Sequence, residues 1–494
     1  MGQDMIARYP IHWHMAGSVP AGTYVRACSM TNSIFRAVTI HGTQGVLIEG
    51  NVAYDIAGHA FLLEDGTEWD NVFRNNLAVG VHTKGGAAKW GSDADEEFLS
   101  SYWIAAPNNH FEGNVAAACA GTGFWVHTRL GPRGASYNVA RYADVKPWRT
   151  RMGRFVGNLV HSCAHGFQIE STNLDSRNTG SSDPESPTAE YQPLTADGKP
   201  AVCYYDDFTT WKVRWRGMWF RGGGHVVRNY VCADTHECAQ FGTAGTQPPR
   251  AALVTIDGAR IVGFTDNRGS SRQDSYQQWD AARGVSWPRR GDAKSGWVLY
   301  DGPHTVRNAA FVNYPLGPAG SLAIAALGVR WRNMGQMAPS SSIGENVTFE
   351  NVGRRFAVVD MEDDGGKYSQ VADPAGSASG KRGAHLVQAA YPFYYTAACL
   401  TSPAAPLVDA YACPHRYVQV WVLDRAGPGS SAVVTRADFP AGEAYTRYAL
   451  ALKTQNSGLW ATLSAGATYL VHYTTRTPTR LAFQLTNAEA SDVV

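Results

Sequence analysis

Residues 114–126 (NVAAACAGTGFWV) contain the phrase that decides the fold: an asparagine, small apolar residues, a turn, then Gly or Ala followed by Phe and apolar residues. The same phrase recurs at residues 51–63 (NVAYDIAGHAFLL) and 158–169 (NLVHSCAHGFQI). Weaker copies begin at four further asparagines: Asn76, Asn229, Asn308 and Asn351. The step from Asn51 to Asn76 is 25 residues. Longer gaps therefore indicate insertions in a repeat of about that size.

The apolar runs in each copy are three to five residues long and are separated by Gly and Asn turns. Helical solenoids do not fit, because their repeats need two amphipathic helices of roughly ten or more residues. A parallel β-helix fits, since its coils contribute short strands that stack at about 4.8 Å. A propeller is the alternative, but its period of roughly 40 residues matches less well. An Asn at each turn tolerates left-handed backbone and can bond to its copy in the next coil.

The repeat predicts one long solenoid followed by a small domain. We assign residues 1–390 to the β-helix. Three insertions interrupt it, near residues 80–101, 128–152 and 171–220. Residues 391–494 are assigned to a small antiparallel β domain, because alternating strands such as residues 417–422 (YVQVWV) replace the repeat there.

Composition excludes several classes of protein. The chain of 494 residues has a net charge of +1 and only 17% charged residues, so no nucleic-acid partner is expected. Its 51 glycines and 23 tyrosines at low charge exclude a disordered chain. No apolar run reaches the roughly 18 residues of a membrane span, and the first residues lack a signal pattern. Cys399 and Cys413 either form a disulfide or remain two thiols.

Aligning the copies on their strands places titratable side chains in one column. The aligned segments are residues 11–14 (IHWH), 38–41 (VTIH), 61–64 (FLLE), 124–127 (FWVH) and 167–170 (FQIE). If the first and third positions point inward, alternation directs the second and fourth outward. The fourth positions then form a column of five titratable side chains: His14, His41, Glu64, His127 and Glu170.

This column offers two kinds of chemistry. On successive coils His14, His41 and Glu64 would lie about 5 Å apart, close enough to bind one divalent ion such as calcium or zinc. Alternatively, Glu64 or Asp65 protonates a leaving oxygen while His14 or His41 accepts a proton, and His127 extends the catalytic set. A hydrogen-bonded polar ladder on a solvated face is the third possibility.

Two insertions begin directly after the column, near residues 128 and 171, so their loops could form the walls of a saccharide groove. Glu170 would extend the site along this groove. Trp125 could stack on a sugar ring, or pack under a loop. Arg214 could meet uronate carboxylates, or lie on an ordinary edge strand. An acidic loop offers oxygen ligands for calcium, although a solvated turn explains it better: Asp360, Asp363 and Asp364.

Several short motifs carry a family resemblance: residues 8–15 (RYPIHWHM), 38–43 (VTIHGT), 58–66 (GHAFLLEDG), 103–109 (WIAAPNN), 301–303 (DGP) and 360–367. In this order they resemble the cell migration-inducing hyaluronidase family, whose relatives include transmembrane protein 2 and the fibrocystin-like proteins. The resemblance covers roughly residues 8 to 420.

The resemblance implies a right-handed, pectin-lyase-like parallel β-helix, secretion or exposure at the cell surface and, in some members, endo-type cleavage of hyaluronan. The family's motifs correspond here to His12, His14, His41, His59 and the Glu64–Asp65 pair, and His12 joins the substrate-binding candidates. Family members carry an eight-glycine domain and early coils before the motif that begins here at Tyr9. We therefore expect a fragment, or a partner that caps the open coil.

The leading hypothesis is a hyaluronidase-like enzyme that hydrolyses a uronate polysaccharide of the glycosaminoglycan type. The rival is a non-catalytic carbohydrate-binding or adhesive surface protein of the fibrocystin-like type. A pectinase-like hydrolase or lyase is a minor alternative, because the sequence lacks the close carboxylate or cation set that such enzymes use.

Overall fold

The computed structural model describes residues 9–83, 99–170, 191–242, 254–266, 295–299, 303–315, 325–329, 341–358, 371–387, 398–401, 410–424, 431–437, 445–448, 458–473, 481–486 and 488. Strands dominate these ranges, and most of them pair in parallel with strands of the neighbouring coils. The predicted parallel β-helix is confirmed. None of the helices in the described ranges is long and apolar enough to cross a membrane.

One face of the solenoid is an 11-stranded parallel sheet, which we call the site sheet. Its strands are Ile11–Ser18, Val38–Gln44, Phe61–Leu63, Ser100–Ile104, Thr122–Val126, His165–Ile169, Arg216–Arg221, Glu237–Gly242, Ser295–Leu299, Ala325–Val329 and Phe356–Val358. Their order in the sheet follows their order in the chain, because each coil adds one strand.

The remaining coil strands form two further rows that join in the later coils. The first row is Tyr24–Arg26, Leu47–Glu49, Val72–Arg74, His110–Glu112, Phe155–Val156 and Cys203–Asp206. The second row is Ser29–Ser33, Val52–Ala57, Leu77–His82, Val115–Ala117, Leu159–His161 and Thr209–Trp211. The last strand of each row pairs with the single strand His225–Ala233. The strands that continue from there are Val254–Val262, His304–Tyr314, Ser341–Ile343 and Val347–Val352.

Buried asparagines form the predicted ladder between coils. The Nδ2 of Asn51 donates to Oδ1 of Asn76 at 2.9 Å, and the same bond joins Asn76 to Asn114 at 2.9 Å and Asn114 to Asn158 at 3.1 Å. In these four coils the left-handed residue precedes the asparagine, as at Gly50 with φ of 64°, so the asparagine serves the hydrogen-bond ladder. In the weaker copies at Asn229, Asn308 and Asn351 the expectation is confirmed, because these asparagines themselves have φ of 56°, 52° and 51°.

Aromatic side chains stack inside the solenoid on a coil that the alignment of repeats omitted. The Tyr102 ring lies 4.9 Å from the Phe61 ring and 4.4 Å from the Phe124 ring, both in stacked geometry. Tyr102 occupies the position that Phe takes in the neighbouring coils, which hid Ser100–Ile104 from the pattern.

The insertion predicted at 171–220 contains a coil of the solenoid. Cys203–Asp206, Thr209–Trp211 and Arg216–Arg221 are strands that continue the two rows and the site sheet. Residues 128–152, predicted as an insertion, contain no strand and three short 3-10 helices: Gly134–Ser136, Ala140–Tyr142 and Pro147–Arg149.

Parallel pairing gives way to antiparallel pairing at Val371–Asp373, which bonds in parallel to Ser341–Ile343 and antiparallel to Ala384–Val387. The change precedes residue 390, and the assigned boundary there stays a prediction. The other antiparallel strands are Leu400–Thr401, Tyr411–Cys413, Tyr417–Asp424, Ser431–Arg436, Tyr445–Tyr448, Gly458–Ser464, Tyr469–Tyr473 and Leu481–Thr486. Cys399 and Cys413 are disulfide-bonded, and Cys232–Cys238 is a bridge that the sequence did not indicate.

We predict that Asn114→Ala destabilises the solenoid by about 3 kcal/mol or more. The change removes the acceptor of the Asn76 backbone N–H and the donor to the Phe73 carbonyl, two buried groups that cost about 1–3 kcal/mol each when unpaired. Urea unfolding measures the difference. The half-buried Asn108, whose substitution by alanine should cost far less, is the matched control; equal costs would contradict a special role of the ladder.

A second prediction concerns acid stability. Burial lowers the pKa of His225 and of His304 to about 3. Because the unfolded value is roughly 6.5, the unfolded state binds more protons, so their contribution to stability is lost as the pH falls from about 6.5 towards 3. His304→Phe, beside Phe241 and Trp297, should flatten the fall in unfolding free energy between pH 6.5 and 4.5. Parallel pH curves for the two proteins would contradict this.

Candidate functional site

The predicted column is present at its N-terminal end. His14 lies opposite His41 in the site sheet. In the coil after His41, the backbone N–H of Glu64 donates to the carbonyl of Ile40. In the following coil Ile104 pairs with Leu63, so the residue at the column position is Ala105, which has no titratable side chain. The column therefore divides into a first group with His14, His41 and Glu64, and a second group that begins with His127.

The first group is a connected histidine cluster, which we define as His12, His14 and His41. The two Nδ1 atoms of His14 and His41 are 3.1 Å apart. The His12 ring lies 5.2 Å from the His14 ring and 6.1 Å from the His41 ring. His14 is exposed, His12 is half-buried and His41 is 6% exposed. The cluster therefore leads from the solvent to a buried imidazole.

Asp65 fixes the tautomer of His41. Its Oδ2 lies 2.6 Å from Nε2 of His41, and because a carboxylate can only accept, that nitrogen carries a proton. Burial opposes a charge on His41, but the Asp65 hydrogen bond and the neighbouring carboxylates outweigh it, so the pKa of His41 is raised. The remaining nitrogen, Nδ1, faces His14 and shares a proton with it or accepts one.

The insertion at 128–152 holds Asp65 in place. The backbone N–H of Ser136 donates to Oδ2 of Asp65 at 2.8 Å, and the Arg133 N–H donates to the Asp65 carbonyl at 3.0 Å. A Cβ on Gly134, which has φ of 53°, would collide with Oδ1 of Asp65. No sequence pattern indicates the bond from Ser136 to Asp65, because it depends on the path of the loop.

A second buried carboxylate, Glu68, organises the turn that carries Asp65. Its two oxygens accept backbone N–H groups from Gly42, Asp65, Gly66 and Thr67 at 2.8 to 3.1 Å. Burial raises the pKa of Glu68 to about 7, although the bonds from the backbone favour its ionised form. Glu68 thus connects the turn after Leu63 to Gly42, directly after His41. No pattern in the sequence indicated this role of Glu68.

Glu64 lies at the edge of the cluster. Its Oε2 is 3.8 Å from Nδ1 of His41 and 3.6 Å from a guanidinium nitrogen of Arg36. The Glu64 side chain is 21% exposed, whereas Arg36 is buried and donates to the Tyr9 hydroxyl at 2.7 Å. Glu64 is therefore a partly accessible carboxylate beside the imidazoles, with a fixed cation behind it.

The residues of the second group, His127 and Glu170, contact neighbouring side chains of the site sheet. His127 is buried and stacks on Trp103 at 4.8 Å. Glu170 accepts from the Trp219 indole N–H at 2.6 Å and lies 3.3 Å from Nε of Arg221. The structure thus separates His127 and Glu170 from the histidine cluster and ties Glu170 to two side chains that the repeat alignment did not include.

Two predicted substrate contacts are buried. Trp125 is 5% exposed and packs with Leu62 and Trp103 on the outer side of the site sheet, which matches the packing alternative. Arg214 is 4% exposed and donates to the carbonyls of Ser162 and Cys119, and burial lowers its pKa to about 10. The calcium candidates lie outside the described residues: Asp360, Asp363 and Asp364.

The cluster falls in a segment with known relatives. Residues 1–167 match the family model described as CEMIP beta-helix. The family resemblance is thereby confirmed. The chain is 28% identical to "Cell surface hyaluronidase CEMIP2" of Homo sapiens, over 89% of this chain and 35% of that protein. It is 26% identical to "Cell migration-inducing and hyaluronan-binding protein" of Mus musculus, over 100% of this chain and 39% of that protein.

A relative of another name matches a shorter part of the chain. "Fibrocystin-L" of Homo sapiens is 30% identical over 53% of this chain and 6% of that protein. The chain thus spans well under half the length of these relatives. The CEMIP beta-helix region contains the whole histidine cluster together with Glu64, Asp65 and Glu68.

We predict that Gly134→Ala loosens the 128–152 insertion, because the new methyl group meets Asp65 and the backbone is left-handed. Limited proteolysis should show faster cleavage within the insertion. Gly131→Ala, in the same insertion and with nothing within 4 Å of its Cβ, is the matched control. Equal cleavage rates for the two variants would contradict the predicted contact with Asp65.

Proposed function

We propose that this chain cleaves hyaluronan or a related uronate polysaccharide by acid/base hydrolysis at the histidine cluster. The names of two relatives, "Cell surface hyaluronidase CEMIP2" and "Cell migration-inducing and hyaluronan-binding protein", support a hyaluronan-related role. An extracellular or cell-surface location belongs to the same proposal, and the name of one relative, "Cell surface hyaluronidase CEMIP2", supports it.

The observation that carries the proposal is the hydrogen-bond chain from Asp65 through His41 to His14. Asp65 orients the buried imidazole, which contacts an exposed one at 3.1 Å. Such an arrangement lets His14 give a proton to, or take one from, a bound substrate while the proton is shared with His41. Hydrolysis of a glycosidic bond needs a proton donor to the leaving oxygen and a base or nucleophile near the anomeric carbon.

Glu64 is the second reacting group in this proposal. Its carboxylate lies beside His41 and is partly accessible, so it can activate water or stabilise positive charge on the sugar. Asp65 is a positioning residue, because it is 4% exposed and acts through His41. His127 and Glu170 remain predicted members of the groove, at a distance from this chemistry.

The test is the chain length of hyaluronan after incubation with the purified protein. His14→Ala should lower the rate of cleavage at least a hundredfold, since positioned acid/base groups contribute about 10²–10⁴. Asp65→Asn should lower kcat with little change in KM. The matched control is His82→Ala, which breaks a histidine–aspartate pair with Asp55 in another row of strands.

The rival function is carbohydrate binding without cleavage, and it is kept because one relative, "Fibrocystin-L", has a name that mentions no hydrolysis. Full-length hyaluronan after incubation, together with binding that depends on His14, would support the rival and overturn the enzymatic proposal. Cleavage that His14→Ala leaves unchanged would place the chemistry elsewhere in the chain.

A further inference from the structure

We infer that the histidine cluster binds one divalent transition-metal ion of the zinc class. One ligand atom from each of His12, His14 and His41 lies within 4.8 Å of the ligand atoms of the other two. The metal site predicted from the sequence used Glu64 as the third ligand. The site inferred here takes its third ligand from His12, which lies on the same strand as His14, two residues earlier.

The ligand type selects the ion. Imidazole nitrogens suit zinc, copper and nickel, whereas calcium takes oxygen ligands. Three imidazoles leave a fourth position of a tetrahedral ion open. Glu64, 3.8 Å from Nδ1 of His41, adds negative charge next to the ion without being needed as a ligand. The cluster therefore fits a transition metal and does not fit calcium.

Two features of the geometry support a ligand role for His41 and His14. Histidines that bind metal usually donate their other ring N–H to a carboxylate, and His41 does so to Asp65 at 2.6 Å. The two Nδ1 atoms are 3.1 Å apart, close to the roughly 3.3 Å expected between two nitrogens on a tetrahedral zinc ion with bonds of about 2.05 Å.

The cluster has an entry path on the side of His14, which is exposed, whereas His12 is half-buried. His41 is held from behind by Asp65, which is itself fixed by Ser136. The innermost ligand of the proposed site is therefore fixed by the fold before an ion binds.

Metal binding and the proposed hydrolysis use the same two ring nitrogens but are tested separately. An ion between Nδ1 of His14 and Nδ1 of His41 takes the place of the shared proton, so the acid/base chemistry proposed above belongs to the metal-free form. Binding is measured directly and needs no activity, and hydrolysis is measured after treatment with a chelator. Either proposal can therefore fail while the other stands.

The experiment titrates chelator-treated protein with Co²⁺ and records the visible absorption of the ion, then displaces it with Zn²⁺. We expect one equivalent to bind, with absorption typical of a nitrogen-ligated, four-coordinate ion. His12→Ala and His14→Ala should each weaken binding at least tenfold, and Asp65→Asn should weaken it tenfold to a hundredfold. Both histidines lie on the partly exposed strand, so thermal unfolding should stay close to that of the parent protein.

The control variant is again His82→Ala, which removes a histidine with a carboxylate partner but outside the cluster. It should bind Co²⁺ as the parent protein does. No binding by the parent protein, or binding that His12→Ala and His14→Ala leave unchanged, would overturn the inference.

Discussion

The stacking of coils in register is the constraint on which the rest of the structure depends. Parallel strands about 4.8 Å apart place side chains at the same position of successive coils next to one another, however many residues separate them in the sequence. The asparagine ladder and the backbone bonds beside it fix this register from Asn51 to Asn158. His14 and His41, 27 residues apart, are register partners in the site sheet and come within hydrogen-bond distance because of the stacking. Asp65 follows Glu64, the residue of the column, and reaches His41 from the turn after the strand.

Stacking alone would leave the histidines on an exposed face, and the 128–152 insertion changes their surroundings. By bonding to Asp65 through Ser136 it buries the carboxylate on which the orientation of His41 depends. Glu68 secures the same turn from the other side through four backbone donors. The site thus has two structural sources. The site sheet supplies the column of side chains, and the 128–152 insertion fixes the carboxylate that orients His41.

The repeat pattern predicted the fold, the register and the contact between His14 and His41, because each follows from local periodicity and stacking. The repeat pattern did not reveal the coil in which Tyr102 replaces the usual Phe. It also did not show that some side chains expected in the solvent are buried. Trp125 and Arg214 are buried because neighbouring aromatic rings and backbone carbonyls surround them. The roles of Glu68 and Ser136 could not be predicted, because both depend on backbone N–H groups. Contacts made by backbone N–H groups leave no pattern in the sequence.

The distribution of charge around the cluster bears on what can approach it. Three carboxylates surround the imidazoles, which on an open surface would repel a polyanion such as a uronate polymer. Asp65 and Glu68 are 4% and 0% exposed, however, and Glu64 lies beside the guanidinium of Arg36. The group that meets the solvent is His14, and exposed Arg141 of the insertion lies beside Gly17 on the same strand. The polyanion proposed as substrate would therefore meet an imidazole and a cation, with Glu64 partly accessible and the other two carboxylates buried, so a protein of net charge +1 can offer a local cationic surface.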